Sequence, residues 1–153
     1  MARARPAEKH DTDATEILDA VLELAAYGLR SNGITVRRDT PAPLIVHGDR
    51  DQLHQVLMNV VINAQQAMLS AEGPRELHIA GRVDGGRVQS TLADTGHGLA
   101  AGVADRVFEP FFTTKPQGVG TGIGLSVSRG IVQAHGGTIA LEPGPQGGAL
   151  CRI

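Results

Sequence analysis

Apolar residues recur at helical spacing in three stretches of the chain. The first stretch follows Asp13, a residue that can cap a helix, with Glu16 placed to close a capping box. The second opens at Asp49 and Gln52, and the third covers residues 121–135. The apolar positions of the first two stretches are Ile17, Val21, Leu24, Ala25 and Leu29, then Leu53, Val56, Leu57, Val60, Val61, Ala64 and Ala67. The spacing predicts three main helices.

Short β-type segments lie between and after these helices. Leu77–Val83 and Arg87–Asp94 alternate apolar and polar residues on either side of a hairpin signal, Asp84-Gly85-Gly86. The other predicted strands are 34–38, 44–47, 138–141 and 149–153. Gly33 and Gly136 follow helical stretches, as glycines that end helices do. The pattern predicts an α/β fold, a two-layer sandwich in which three helices cover one face of a mixed, mostly antiparallel sheet.

The bulk composition fits one folded domain. Residues 1–12 are assigned to a polar N-terminal tail or linker, which leaves 13–153 as the domain. Hydrophobic residues make up 41% of the 153 residues, which is enough for a core. The net charge of −2 gives no basic surface for nucleic acid or for anionic lipid, so we expect neither as a partner.

Two features bear on the compartment. Cys151 is the single cysteine, which excludes a disulfide within the chain and fits a reducing compartment. No apolar run approaches the roughly 18 residues that span a bilayer, and the N-terminus lacks the apolar region of a signal peptide. We therefore expect a cytoplasmic location, either for the chain alone or as the cytosolic portion of something longer.

Two glycine-rich segments carry the main candidate chemistry. Asp94-Thr95-Gly96-His97-Gly98 places one carboxylate beside two glycines, which let the backbone approach a flat base closely. Gly120-Thr121-Gly122-Ile123-Gly124-Leu125 leads into the third helix, whose N-terminal N–H groups can bind phosphates. Glycine clusters are also common in ordinary turns, and an Asp at a strand end is a common turn former. Together the segments predict a nucleotide site, with Asp94 accepting a hydrogen bond from an adenine amino group.

Asn59 and Asn63 are four residues apart, so they share one face of the second helix. That face is otherwise apolar, and two ordinary asparagines at the edge of a core would explain the pair. The other interpretation is a Mg²⁺ site. Mg²⁺ prefers oxygen ligands, and an Asn carbonyl can supply one while phosphates supply others.

All three phenylalanines fall within residues 108–112, directly before Thr113-Thr114-Lys115. One interpretation is a packed loop with a solvated lysine. The other is a hinge and a lid, in which Lys115 reaches the β or γ phosphate of a nucleotide.

Four motifs in a fixed order carry a family resemblance. They are DQLHQVLMNVVINAQQAM, DTGHGL, FEPFFTTK and GTGIGLSVSRGIVQAHGG. They resemble the N, G1, F and G2 boxes of the catalytic ATP-binding domain of sensor histidine kinases, which belongs to the GHKL superfamily with gyrase, HSP90-type chaperones and MutL. The resemblance covers about residues 13–153 and is strongest to the nitrogen-regulation and oxygen-sensing class. It implies the Bergerat fold of that superfamily and Mg-ATP as the ligand.

The resemblance also implies roles for the motif residues. Asn63 would bind Mg²⁺, and Asp94 would bind the adenine amino group of ATP. Lys115 would contact the phosphates from a lid over residues 113–120, and with Asn59 and Asn63 it makes up the implied catalytic set. The other implied ATP-binding residues are Gly96, Gly98 and Leu99 at the base and Gly120, Thr121, Gly122, Ile123, Gly124 and Leu125 at the phosphates.

Some positions depart from the family pattern. His97 stands where proline is common, Gln66 where many relatives carry a cation for the phosphates, and Ala149 where a Thr or Ser often assists adenine binding. Asn59 stands where the ATP-hydrolysing relatives carry a Glu general base, and an amide cannot deprotonate water. The resemblance therefore implies slow hydrolysis and transfer of the γ-phosphate to a histidine.

The six histidines of the chain are poor matches to the acceptor of that phosphate. His10 precedes Asp11, faintly like the acceptor's pair of a histidine and an acid, but it lacks the long heptad-like helix around a true acceptor. The expected partners are therefore a histidine-containing dimerisation domain of the same kinase and, indirectly, a response regulator. Two alternatives stay open, a nucleotide-gated interaction module and an anti-sigma-type serine kinase.

Overall fold

The structure is a computed structural model that describes residues 9–41, 43–69, 73–84, 86–95, 124–143 and 149–152. Within these ranges lie the helices α1 (Ala14–Ser31), α2 (Arg50–Leu69) and α3 (Gly124–Ala134). The strands are β1 (His10–Asp13), β2 (Thr35–Asp39), β3 (Ile45–Gly48), β4 (Glu76–Asp84), β5 (Arg87–Asp94), β6 (Ala140–Pro143) and β7 (Ala149–Arg152). None of the helices in these ranges combines the length and the apolar character needed to cross a bilayer.

The strands form two sheets. Five of them lie in the order β2-β4-β5-β7-β6, with β2 parallel to β4 and the other neighbouring pairs antiparallel. This is the mixed, mostly antiparallel sheet that the sequence predicts. The second sheet is the antiparallel pair β1–β3, in which His10 lies opposite Gly48.

Strand β1 corrects the assignment of residues 10–12 to a tail. Its sequence is short and polar, His-Asp-Thr-Asp, so no apolar alternation marks it as a strand. It forms because β3 supplies the backbone partners and because Thr12 is buried, with its hydroxyl 3.4 Å from the carbonyl oxygen of Gly48. Among the described residues, strand structure is therefore already present before the predicted boundary at Asp13.

The hydrophobic core lies between the helices and one face of the five-stranded sheet. On β4, Leu77 and Ile79 are almost inaccessible while the intervening His78 and the following Ala80 are not, as the two-residue period of a strand requires. Residues of all three helices join them in one buried cluster, among them Ile17, Leu18, Val21, Val56, Val60, Val61, Met68 and Val132. Helices on one face of a sheet are the predicted two-layer sandwich.

The buried stripe of α1 differs from the prediction at one position. Leu24 is 70% exposed, whereas Leu18 is buried. Leu24 follows Ile17 by seven residues, and an α-helix falls about 20° out of register over seven residues. The stripe turns from Ile17 towards Leu29 along the helix, which leaves Leu24 at its solvent edge.

Helices α1 and α3 each end just before a glycine in the left-handed conformation, as the positions of Gly33 and Gly136 predict. After α1, Gly33 has a φ of 69°, and the N–H of Ile34 donates to the carbonyl oxygen of Leu29 at 2.9 Å. After α3, Gly136 has a φ of 74°. A left-handed residue after the last turn lets the chain satisfy the final carbonyl groups and leave the helix axis.

The start of α1 is capped by Asp13, as predicted, but with different partners. Its Oδ1 accepts hydrogen bonds from the N–H of Thr15 and from the N–H of Leu44, each at 3.0 Å. The carboxylate of Glu16 instead accepts a hydrogen bond from Arg50 at 3.4 Å. Asp13 therefore ties α1 to the chain that enters β3.

Candidate functional site

Helices α2 and α3 pack antiparallel, and two hydrogen bonds mark their register. Next to the start of α2, the backbone N–H of Asp49 donates to Nε2 of His135, which follows the last residue of α3, at 3.0 Å. Further along α2, Nδ2 of Asn59 donates to Oγ of Ser128 at 3.1 Å. Moving towards the C-terminus of α2 therefore means moving towards the N-terminus of α3.

The predicted metal ligand lies at the end of this helix pair where α3 begins. Asn63 is half-buried and follows Asn59 by about one turn of α2, and Gly124, the first residue of α3, precedes Ser128 by about one turn. Each of these steps advances about 6 Å along a helix. The antiparallel register thus brings Asn63 and the first turn of α3 to the same end of the domain, where the N–H groups of a helix N-terminus favour anions.

Asp94 ends β5 at this same end of the domain. It is only 6% exposed, and strand alternation places its side chain on the sheet face that carries the buried Leu92, the face covered by helices. The next residue, Thr95, has its hydroxyl 3.7 Å from Sδ of Met68 near the C-terminus of α2. The end of β5 therefore adjoins the half of α2 that carries Asn63.

A hydrogen-bond network holds the backbone at the end of β5. The hydroxyl of Thr95 accepts from the N–H of Glu76 at 3.0 Å and donates to the carbonyl oxygen of Pro74 at 2.8 Å. Glu76 in turn accepts from Nε of Arg37 at 3.0 Å, and the guanidinium beside it lowers the pKa of the Glu76 carboxyl. Pro74 and Glu76 are thereby fastened to the residue that follows Asp94.

The described structure brings four predicted site features together: Asn59, Asn63, Asp94 and the first turn of α3 with Gly124 and Leu125. The other predicted residues lie outside the described residues. They are Gly96, Gly98, Leu99, Lys115, Gly120, Thr121, Gly122 and Ile123, together with the lid over 113–120. The roles assigned to all these residues stay predictions.

Three residues that hold the helix pair or the end of β5 had no predicted role: Ser128 and Thr95 near the candidate site, and His135 at the far end of the helix pair. Ser128 does have a sequence signal, because it precedes Ile131 and Val132 by three and four residues and so shares their apolar face of the third helix. A buried hydroxyl on such a face needs a partner. Thr95 and His135 have no comparable signal, since their partners are backbone groups of distant segments.

The chain resembles known proteins in both its sequence and its fold. A family model described as histidine kinase-, DNA gyrase B- and HSP90-like ATPase matches residues 48–153. The two-component sensor PprA of Pseudomonas aeruginosa is 39% identical over 135 residues, which are 83% of this chain and 14% of that protein. The sensor histidine kinase ZraS of Klebsiella oxytoca is 38% identical over 150 residues, which are 95% of this chain and 31% of that protein.

A solved structure matches over nearly the whole chain. The nucleotide-free catalytic domain of histidine kinase ThkA superposes with a TM-score of 0.83 at 28% identity, and the match covers 95% of each chain. By contrast, the chain spans less than a third of the length of PprA and of ZraS. The similarity is therefore to one domain of those sensors.

Proposed function

The chain belongs to the family of histidine kinase-, DNA gyrase B- and HSP90-like ATPases, and on that premise we propose that it is the phosphate-donating half of a two-component sensor kinase. It is an ATP-binding catalytic domain of the histidine kinase type. The proposed reaction transfers the γ-phosphate of Mg-ATP to a histidine on a separate dimerisation domain. The narrower assignment to the nitrogen-regulation and oxygen-sensing class stays a prediction.

The observation that carries the proposal is the meeting of three elements at one end of the domain. The C-terminal half of α2 carries Asn63, α3 presents its N-terminus, and β5 ends in the buried Asp94. An oxygen ligand suits Mg²⁺, helix N–H groups suit phosphates, and a carboxylate accepts from an amino group. These are the groups that a complex of Mg²⁺ with an adenine nucleotide would require.

Asp94 is the proposed selector of the base. An ionised carboxylate accepts hydrogen bonds and cannot donate them, so it fits the amino group of adenine and not the oxygen that guanine has there. Burial strengthens such a hydrogen bond because water does not compete for it. The hydrogen bonds of Thr95 support this role, since they fix the backbone beside the carboxylate. Gly96, Gly98 and Leu99 complete the base side in the proposal.

Asn63 is the proposed Mg²⁺ ligand, through its carboxamide oxygen. The bound ion would neutralise charge on the phosphate oxygens, as in phosphoryl transfer generally. The Gly120–Leu125 segment and Lys115 are proposed to hold the phosphates from the other side. The chain's own contribution is then positioning. Helices α2 and α3 hold the Mg²⁺ ligand Asn63 and the N–H groups that donate to the phosphates at a fixed separation.

The side chain of Asn59 supports transfer over hydrolysis. Its Nδ2 donates to Ser128, and a carboxamide is not a base that could deprotonate water. The γ-phosphate of ATP bound at this site would therefore react slowly with water and transfer to a better nucleophile. We propose that this nucleophile is the imidazole of the histidine on the dimerisation domain. Further downstream we propose a response regulator. ThkA has been solved in complex with the response regulator protein TrrA.

Titration calorimetry with ATP and with GTP, each in Mg²⁺ and in EDTA, tests the proposed ligand. We expect Mg²⁺ to raise the affinity for ATP, and we expect GTP to bind at least about fivefold more weakly because a mispaired buried group costs about 1–3 kcal/mol. Equal affinities for ATP and GTP would contradict the role of Asp94. A folded chain that binds no ATP would contradict the proposal as a whole.

A further inference from the structure

A polar contact lies within the largely apolar interface between α2 and α3. Ser128 is 0% exposed, and its hydroxyl accepts from Nδ2 of Asn59 at 3.1 Å. Buried apolar residues flank this contact, with Val56 and Val60 on α2 and Val132 on α3. Apolar packing of about the right volume can leave two helices with more than one close arrangement. The half-buried Asn59–Ser128 hydrogen bond favours one of them, because sliding one helix along the other leaves a donor and an acceptor without partners.

A second polar contact along this helix pair joins the N–H of Asp49 to His135 at 3.0 Å. It lies at the far end of the pair from the proposed nucleotide site. Two contacts about 10 Å apart along α3, at 1.5 Å per residue, fix both the antiparallel register and the axial position. Of the two, the Asn59–Ser128 contact lies nearer to Asn63 and to the first turn of α3.

We infer that Ser128 is a positioning residue for the proposed Mg²⁺ site. Asn63 lies one turn beyond Asn59, and Gly124 lies one turn before Ser128, so the hydrogen bond sets the axial distance between the two. A slide of one residue would move Asn63 by about 1.5 Å relative to the start of α3. Misplacement on that scale is enough to impair a site that works by positioning. The inference rests on the proposed function, because it assigns Ser128 to that same site.

The role predicts an effect specific to Mg²⁺. The test is the ratio of the affinity for the ATP analogue AMP-PNP in Mg²⁺ to its affinity in EDTA, measured by calorimetry. We expect Ser128→Ala to lower this ratio about three- to tenfold, the range that a neutral hydrogen bond is worth. Affinity in EDTA should change less, because the base contact through Asp94 does not depend on the register of α2 and α3.

Two further variants separate positioning from general destabilisation. Val132→Ala truncates a side chain that is 4% exposed in the same interface, so it should lower stability and leave the Mg²⁺ ratio near that of the wild type. Asn59→Ala should lower the ratio as Ser128→Ala does, and the double variant should lower it no further, since both single changes remove the same hydrogen bond. Ser128→Cys, which keeps the volume and weakens the acceptor, replaces Ser128→Ala if that variant does not fold.

The outcomes distinguish this inference from the proposal beneath it. Equal affinity of the wild-type chain for AMP-PNP in Mg²⁺ and in EDTA would contradict the proposed metal site. If Mg²⁺ raises the AMP-PNP affinity of the wild type and of Ser128→Ala by the same factor, the positioning role alone would be overturned. An equal fall in the ratio for Ser128→Ala and Val132→Ala would also overturn it, because the fall would then follow stability.

Discussion

Nε2 of His135 accepts a hydrogen bond from the backbone N–H of Asp49 at 3.0 Å, across 86 positions of sequence. Nδ1 of the same ring lies 2.8 Å from the carbonyl oxygen of Ile131. A neutral ring with its proton on Nδ1 satisfies both contacts, since it then donates to the carbonyl and accepts from the N–H. The ring therefore joins the end of α3 to the start of α2, at the opposite end of the helix pair from Asn63.

Removing this ring should weaken the fold. We expect His135→Ala to lower the free energy of unfolding by about 1 kcal/mol, because the N–H of Asp49 loses its half-buried acceptor. Urea denaturation followed by circular dichroism measures the change. His10→Ala, on the exposed side of β1, is the matched control and should remain close to the wild type. Equal stability of His135→Ala and the wild type would show that this contact does not hold the helices together.

The cap of α2 should contribute separately. Asp49 is 1% exposed, and its Oδ1 accepts from the N–H of Asp51 at 3.0 Å and of Gln52 at 3.1 Å. We expect Asp49→Ala to cost about 0.5–2 kcal/mol of stability in the same urea assay, the usual range for a lost N-terminal cap. Asp49→Asn keeps a cap oxygen and should cost less. A larger loss for Asn than for Ala would contradict the cap as the reason.

Acid should destabilise the folded chain through two carboxyl groups. The N–H of Leu44, with Thr15, lowers the pKa of Asp13 below its ordinary 3.8, and Arg37 lowers the pKa of Glu76 below its ordinary 4.5. The unfolded chain therefore takes up these protons at a higher pH than the folded chain does. Their contribution is complete above about pH 5 and is lost as the pH falls through the lowered pKa values.

The midpoint of thermal unfolding, measured between pH 6 and pH 3, checks this expectation. The wild type should lose stability steeply in the acidic half of the range. Asp13→Asn should be less stable than the wild type near neutrality and should lose less on acidification, since one of the titrating groups is gone. Parallel curves for the two proteins would mean that Asp13 takes no part in the acid response.

The sequence was informative about helices because their signals are local. The cap at Asp49 and the glycine at Gly33 are single residues whose preferences the structure follows. Strand β1 gave no such signal, because four polar residues become a strand only when β3 lies beside them. The prediction that Leu24 belongs to the buried side of α1 was wrong for a related reason. The helical period alone does not show how far the buried stripe turns around the helix.

The candidate site divides in the same way. Asn63 and Asp94 stand in motifs that can be recognised from neighbouring residues. The sequence therefore identifies them directly as candidate site residues. The contact between Asn59 and Ser128 cannot be found like this, because the residues are 69 positions apart and meet only through the packing of α2 on α3. The same holds for Thr95, whose hydroxyl binds backbone groups of another segment.

Asp94→Asn should weaken ATP binding while the fold is preserved. The amide can present a donor to the adenine amino group, and a mispaired buried group costs about 1–3 kcal/mol, or roughly 5- to 150-fold in affinity. Calorimetry on the folded variant measures the loss. Asp39→Asn, an exposed carboxylate on β2, is the control that should bind ATP as the wild type does. Unchanged affinity of Asp94→Asn would remove the adenine role from this residue.

The central claim is that this domain donates phosphate to a histidine on another domain. The most direct measurement uses radiolabelled ATP with three proteins: this chain alone, a chimera in which it replaces the catalytic domain of ZraS, and the same chimera with Asn63→Ala. We expect no labelling of the chain alone, acid-labile labelling of the chimera, and little labelling of the Asn63→Ala chimera. Strong labelling of the chain alone, or an unlabelled chimera beside labelled intact ZraS, would contradict the account.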